Sequence, residues 1–180
     1  MPLPQQQTYT IEDIFSLPEG TRAELIDGQI YYMAPPSRRH QQIAGLLFST
    51  ILQYIQRKGG SCEPYIAPFA VFLNKDSQNY VEPDISVICS PDKLTDRGCN
   101  GAPDWIIEIV SLGSRQMDYF TKLFKYRNSE VREYWIVDPA KNFIIVYNFE
   151  NSTSDQYTFS DTIKAGIYED LYIDFSQIKL

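Results

Sequence analysis

Trp105-Ile106-Ile107-Glu108-Ile109-Val110 is an apolar run of strand length interrupted by one carboxylate. Side chains alternate faces along a strand, so Glu108 shares its side with Ile106 and Val110. Burying a carboxylate there unpaired costs several kcal/mol, so Glu108 requires a cation, a hydrogen-bond donor or a proton. An edge position that reaches water, or a structural ion pair, would also meet the requirement. Upstream, Asp84 follows Pro83 and opens a second apolar strand over Ile85–Ile88. Proline fixes the entry to that strand and sets the carboxylate at its start, although Pro-Asp is also ordinary turn chemistry. On neighbouring strands, Asp84 and Glu108 would form a pair suited to a hard cation such as Mg²⁺ or Mn²⁺.

Downstream, Ser114 is positioned to cap a helix running to about Asn128. Asp118, Lys122 and Tyr126 fall at i, i+4 and i+8 and form one polar stripe. Met117, Phe120, Leu123 and Phe124 are then expected on the core side. In isolation Asp118 and Lys122 also read as a surface ion pair worth only ~0.3–0.5 kcal/mol. Lys125 lies off the stripe.

The remaining segments set these three pieces in a frame. Thr10-Ile-Glu-Asp13 fits a loose capping box for a short helix to about Leu17. Asp27-Gly28 between apolar runs predicts a hairpin over Arg22 to Met33. Glu24 sits on its first strand, facing either a shared cleft or solvent. A longer helix starts near Ser37, carries Ile43, Leu46, Leu47, Ile51 and Ile55 at helical spacing, and stops at Gly59-Gly60. Strands are expected at about 65–73, 84–89 and 104–110, then at Glu133–Val137 and Phe143–Asn148. Short ones are expected near 156–159 and 171–174. Residues 1–8 read as a flexible tail. Strand runs interleaved with two long helices predict a mixed α/β (α+β) fold, a mixed sheet flanked by helices with an N-terminal helix and hairpin.

Composition narrows the function. The chain has 180 residues, 43% hydrophobic and 22% charged, enough for a real core. Its net charge of −7 lowers the expectation of a simple nucleic-acid binder, because phosphate neutralisation needs a basic surplus. The acids are unevenly spread. Residues 1–30 hold five acids and one base, and residues 150–180 hold six and two. The middle, 31–149, has 13 bases against 12 acids, and 111–132 has five against two. The proposed site therefore reads as near neutral to basic. Cys62, Cys89 and Cys99 form no CxxC pair, and His40 is the one histidine. That argues against a disulfide scaffold and a Cys/His zinc site, and makes a reducing cytoplasm the natural compartment. No secretory leader is evident in Met1 to Gln7, and no apolar run approaches the ~18 residues of a membrane span.

Together these residues resemble the Uma-type restriction endonuclease family, a branch of the PD-(D/E)xK nuclease superfamily. The matching stretches are Ala23-Glu-Leu-Ile-Asp-Gly28, Ser37 to His40, Val81-Glu-Pro-Asp-Ile-Ser-Val87 and Ile107-Glu-Ile-Val-Ser111. The stripe Asp118, Lys122, Tyr126 and the run Glu133-Tyr-Trp-Ile-Val-Asp-Pro139 complete the pattern, which spans about Tyr9 to Phe149. The resemblance implies one nuclease-like domain over 9–180 with a restriction-endonuclease-like core. It makes Asp84 and Glu108 ligands of Mg²⁺ or Mn²⁺ and Glu24 an additional acid. The superfamily's usual lysine position is Val110 here, and the family pattern moves that lysine to Lys122. Asp118, Tyr126 and His40 match as accessory positions. Leu112-Gly113 departs from the proline-containing turn more usual in the family. The implied activity is metal-dependent hydrolysis of DNA phosphodiester bonds, by a homodimer if analogy with such nucleases holds. Two other readings compete. One is a catalytically inactive module of the same fold that binds nucleic acid or a protein partner. The other is a carboxylate-pair hydrolase acting on sugars, which would need an aromatic platform that nothing in the sequence marks.

Overall fold

The computed structural model describes residues 7–178. Residues 1–6 of the tail expected over 1–8 lie outside the described residues. Gln7 and Thr8 lie against the hairpin: the Gln7 carbonyl accepts from Gln29 Nε2 at 3.2 Å.

Helix α1 (Ile11–Phe15) is followed by the hairpin β1 (Ala23–Ile26) and β2 (Gln29–Tyr32). Its turn residues Asp27 and Gly28 have φ of 49° and 74°, the two positive angles a tight hairpin turn demands. Helix α2 (Arg38–Lys58) begins at Ser37, whose hydroxyl accepts from the His40 amide, and ends at Gly59 in the left-handed region.

Six strands form the central sheet: β3 (Glu63–Ile66), β5 (Ile85–Ile88), β8 (Trp105–Ile109), β9 (Glu133–Asp138), β10 (Phe143–Asn148) and β11 (Thr153–Tyr157). Their order is β11-β10-β9-β8-β5-β3. Only β8 and β9 pair in parallel, as their link through a helix requires, so the sheet is mixed as expected. Small strands surround it: β4 (Val71–Phe72), β6 (Leu94–Thr95) and β7 (Gly98–Asn100) form one sheet, and β12 (Thr162–Lys164) and β13 (Tyr172–Asp174) another. The single strand expected over 65–73 is thus two strands in different sheets. Pro68 lies between them and has no amide hydrogen to offer a ladder.

Alternation along β8 divides the core. Trp105, Ile107 and Ile109 pack with Ile43, Leu47 and Ile51 of α2, beside Ile163, Ile173 and Phe175 from the C-terminal segment. Ile106 and Val110 pack on the other face with Tyr126, Tyr134 and Ile136. Glu108 projects into this second face.

Two expectations need correction. Cys62 and Cys89, one step beyond the registered pair Glu63 and Ile88, are joined by a disulfide, while Cys99 is free and buried. The odd count concealed one cross-strand bridge, a bond that persists in oxidising surroundings. The helix after β8 also differs. It contains a π-turn over Met117–Thr121 before α3 (Lys122–Arg127), and the Lys122 amide reaches back five residues to the Met117 carbonyl. Among the described residues no helix is long and apolar enough to cross a membrane.

Candidate active site

Lys122 organises the site. Its ammonium lies 3.0 and 2.8 Å from Glu24 Oε1 and Oε2, 2.8 Å from Glu108 Oε1 and 3.8 Å from Asp118 Oδ1. The Tyr126 hydroxyl donates to the same Glu108 oxygen at 2.8 Å. These groups come from β1, β8, the π-turn and α3, and all five residues are at least 96% buried. The outward placement of Glu24 left open by the sequence does not occur. Its Oε1 also accepts from the Glu82 amide at 2.9 Å.

Asp84 lies directly before β5, whose Ile85 pairs with Ile107, so its backbone runs beside Glu108. The Asp84 amide approaches Glu108 Oε2 at 3.4 Å. Its carboxylate Oδ2 accepts from the Ile109 amide at 2.7 Å and lies 3.0 Å from His40 Nε2. His40 stands in the first turn of α2, so the opposite face of the sheet also reaches the site. The structure therefore brings all seven candidates, Glu24, His40, Asp84, Glu108, Asp118, Lys122 and Tyr126, into one connected cluster.

The stripe Asp118, Lys122, Tyr126 is intact, but its orientation reverses the expectation. The stripe is the buried side of the helix; of the four residues expected on the core side, Met117 and Leu123 are partly buried against the core, while Phe120 and Phe124 are each 70% exposed. The acids on β1 and β8 draw the ammonium inward, and this outweighs the usual preference of phenylalanine for the core. Ser114 stands directly before the helix as expected: its carbonyl accepts from the Asp118 amide at 2.9 Å, while its hydroxyl donates to the Asp118 carboxylate.

Burial pushes the Glu108 carboxyl well above the ordinary range. Lys122 opposes this, while Asp84, Asp118 and Glu24 reinforce it. Burial likewise raises Asp118 to about 6 against the pull of Lys122 and Ser114. Lys122 loses hydration by burial, yet Glu108, Glu24 and Asp118 outweigh this and hold its ammonium well above its usual value. Four carboxylates thus meet one ammonium and one imidazole. The charge division along the sequence suggested a near neutral to basic site. The cluster is acidic, because the hairpin carries Glu24 into it from the N-terminal flank.

That excess of acid fits a cation. Asp84 and Glu108 are hard oxygen donors on adjacent strands, and Mg²⁺ typically takes one or two carboxylates with water and phosphate oxygens completing its shell. Among the described residues no group of three or more His, Cys, Asp or Glu side chains is disposed to hold a metal ion.

Other residues support the site without having been singled out. The Tyr134 hydroxyl donates to the Asp118 carbonyl at 2.9 Å, within the π-turn. Glu82 accepts from Arg22 Nε at 2.9 Å and from the Tyr80 hydroxyl at 2.8 Å, fixing the backbone that holds Glu24. Asp138 is fully buried, accepts from the Tyr119 hydroxyl at 3.1 Å and faces Arg115 at 3.5 Å, anchoring the start of the helix. Glu82 and Asp138 were open to the argument that flagged Glu108, a carboxylate within a largely apolar segment.

The mixed sheet thus sets paired acids on adjacent strands and a lysine on the helix that covers them. The chain belongs to the Uma2 family, described as "Putative restriction endonuclease", whose sequence model matches residues 11–170. A Synechocystis sp. relative, the uncharacterised protein slr1290, is 27% identical over 146 residues, covering 78% of this chain and 75% of the relative. The fold is shared with a solved Anabaena variabilis protein described as "a putative nuclease belonging to DUF820". The TM-score is 0.76 at 18% identity, over 94% of this chain and 96% of that one.

Proposed function

We propose that this protein is a metal-dependent endonuclease that hydrolyses phosphodiester bonds in DNA. The observation that carries the reading is the convergence of Asp84, Glu108 and Lys122, with Glu24 behind the lysine, at the junction of β5, β8 and α3. Asp84 and Glu108 would hold Mg²⁺ or Mn²⁺, which when bound supplies Lewis acidity and offsets phosphate charge. Lys122, kept protonated by its carboxylate neighbours, presents a fixed positive charge to the pentavalent transition state. Glu24 and Asp118 set the position of its Nζ. Tyr126 donates to Glu108 Oε1 and leaves Oε2 facing Asp84. His40 and the Ile109 amide hold Asp84 Oδ2 in place.

The test is relaxation or linearisation of supercoiled plasmid with Mg²⁺ or Mn²⁺, and with EDTA as control. Asp84→Asn and Glu108→Gln keep the side-chain shapes and should abolish cleavage while far-UV circular dichroism still shows the native fold, with Glu108→Gln melting earlier because Lys122 loses a charged partner. Robust cleavage by the Glu108→Gln protein would overturn the site. No cleavage by the parent protein with either metal would overturn the activity.

A further inference from the structure

A site with four carboxylates repels the phosphodiester it would cleave. Lys122 does little to offset this for an incoming strand: its side chain is 4% exposed and its ammonium is shared by Glu24, Glu108 and Asp118. A metal ion on Asp84 and Glu108 serves the scissile phosphate alone. Cations for the neighbouring phosphates must come from outside the cluster, and several of those around it are engaged. Arg22 pairs with Glu82, Arg115 with Asp138 and Lys125 with Asp27.

Arg38 and Arg39 are different. Both are exposed, and among the described residues neither has an acid partner. They directly precede His40, whose Nε2 lies 3.0 Å from Asp84 Oδ2, so they stand at the end of the sheet where β8 finishes and β5 begins. Helix geometry sets Arg39 about 100° around α2 from His40 and Arg38 about 100° further, with both side chains leaning past the helix start. Local chemistry gives no reason for them. The first turn of α2 has no acid, and cations there oppose the unpaired amides of the helix start. Nor does the surrounding chain cancel their charge: from Gly28 to Cys62 it carries no Asp or Glu, although acids outnumber bases 23 to 16 overall. Two uncommitted guanidinium groups, placed against local stability beside the paired acids, suit phosphate oxygens, to which each donates as a fork. Reading a base edge instead requires donors held in a fixed orientation, and nothing within the chain holds these two.

We propose that Arg38 and Arg39 bind two backbone phosphates of DNA beside the scissile bond, without reading its sequence. The inference rests on the nuclease reading for the identity of the strand, and it supplies the feature by which an acidic site admits a polyanion. Each phosphate contact contributes about 0.9 to the slope of log affinity against log salt.

The test is binding of a short labelled duplex by the Glu108→Gln protein with Mg²⁺, followed by fluorescence anisotropy from low to moderate salt. In that background Arg38→Gln and Arg39→Gln should each make the salt slope shallower by about 0.9, and together by about 1.8. The loss of affinity should be equal for an AT-rich and a GC-rich duplex. Arg57→Gln, at an exposed position roughly 28 Å along α2, should leave the slope unchanged. The Arg38→Gln/Arg39→Gln protein should melt no lower than its parent, since both charges oppose the helix start, so weaker binding is not unfolding. An unchanged slope in the double variant, an equal change from Arg57→Gln, or a loss confined to one duplex would overturn the proposal. So would the absence of duplex binding by the Glu108→Gln protein at low salt. Plasmid cleavage by the parent separates the two readings. Cleavage with an unchanged slope keeps the nuclease and removes the arginine seat, whereas a shallower slope without cleavage keeps the seat and removes the nuclease.

Discussion

The Lys122 ammonium touches both oxygens of Glu24 and one of Glu108, all within 3.0 Å. Removing one member of such a buried cluster costs more than the pair contributes, because the remaining charges stay buried. Lys122→Met should therefore lower stability by about 3–5 kcal/mol in metal-free buffer, read from denaturant melts. Adding Glu24→Gln and Glu108→Gln to that variant should recover part of the loss. No recovery would mean that the lysine acts through packing of its stem. Cys99 gives a pH prediction from a single thiol. Burial raises it from 9.0 to about 11, with Lys93 opposing. Between those values the unfolded chain has released a proton that the folded chain retains. Rising pH therefore favours unfolding, and stability should decline from about 9 to about 11. Cys99→Ala should make the decline shallower between about 9 and 10, before the buried tyrosines, also raised from 10.0, add to it, and an unchanged slope there would remove the thiol as its source.

At the scale of elements, two glycines separate a side-chain restraint from a backbone one. A Cβ on Gly28 would lie 2.3 Å from Thr8 Cγ2, whereas one on Gly98 would lie 2.2 Å from the Ala70 carbonyl oxygen. Both residues have positive φ. Each change to alanine should cost at least ~1 kcal/mol. Thr8→Ala should relieve part of the Gly28→Ala penalty, and no side-chain truncation at position 70 should relieve Gly98→Ala, as thermal melts of the double variants would report. Hairpin, long helix and central strands were legible in the sequence because turn chemistry and periodicity act locally. The stripe Asp118, Lys122, Tyr126 was equally legible, but its direction was not. Amphipathic reasoning turns phenylalanine inward, and only the acids of β1 and β8, distant in sequence, reverse it. The π-turn was invisible for a related reason, since its Asp118 carbonyl is held by Tyr134 from the next strand. Single acids in apolar runs identified Glu108. The same logic applied to Glu82 and Asp138 would have reached the supports of the site.

At the scale of the molecule, the disulfide and the charge distribution were the features that counting misread. Cys62 and Cys89 are 27 residues apart, and a crosslink of that span contributes about 3.5 kcal/mol by restricting the unfolded chain. Reductant should lower the denaturation midpoint, and Cys62→Ser/Cys89→Ser should match the reduced parent with or without it. Equal midpoints in all four conditions would show that the bridge adds nothing. The acidic flanks likewise proved to be distributed through the fold. Glu24 enters the site, while Asp170 pairs with Lys58 at the far end of α2.

The hub around Lys122 also bears on how such a protein can change over generations. A surface active site decays one residue at a time, since each loss is tolerated by water. Here the first loss strands buried charge, so a lineage released from selection on cleavage meets a fold defect before it drifts. Retained acids at Glu24, Glu108 and Asp118 in a relative would therefore record the demands of packing as well as those of chemistry. A truly retired member would be recognised by coordinated replacement of the whole cluster with apolar residues.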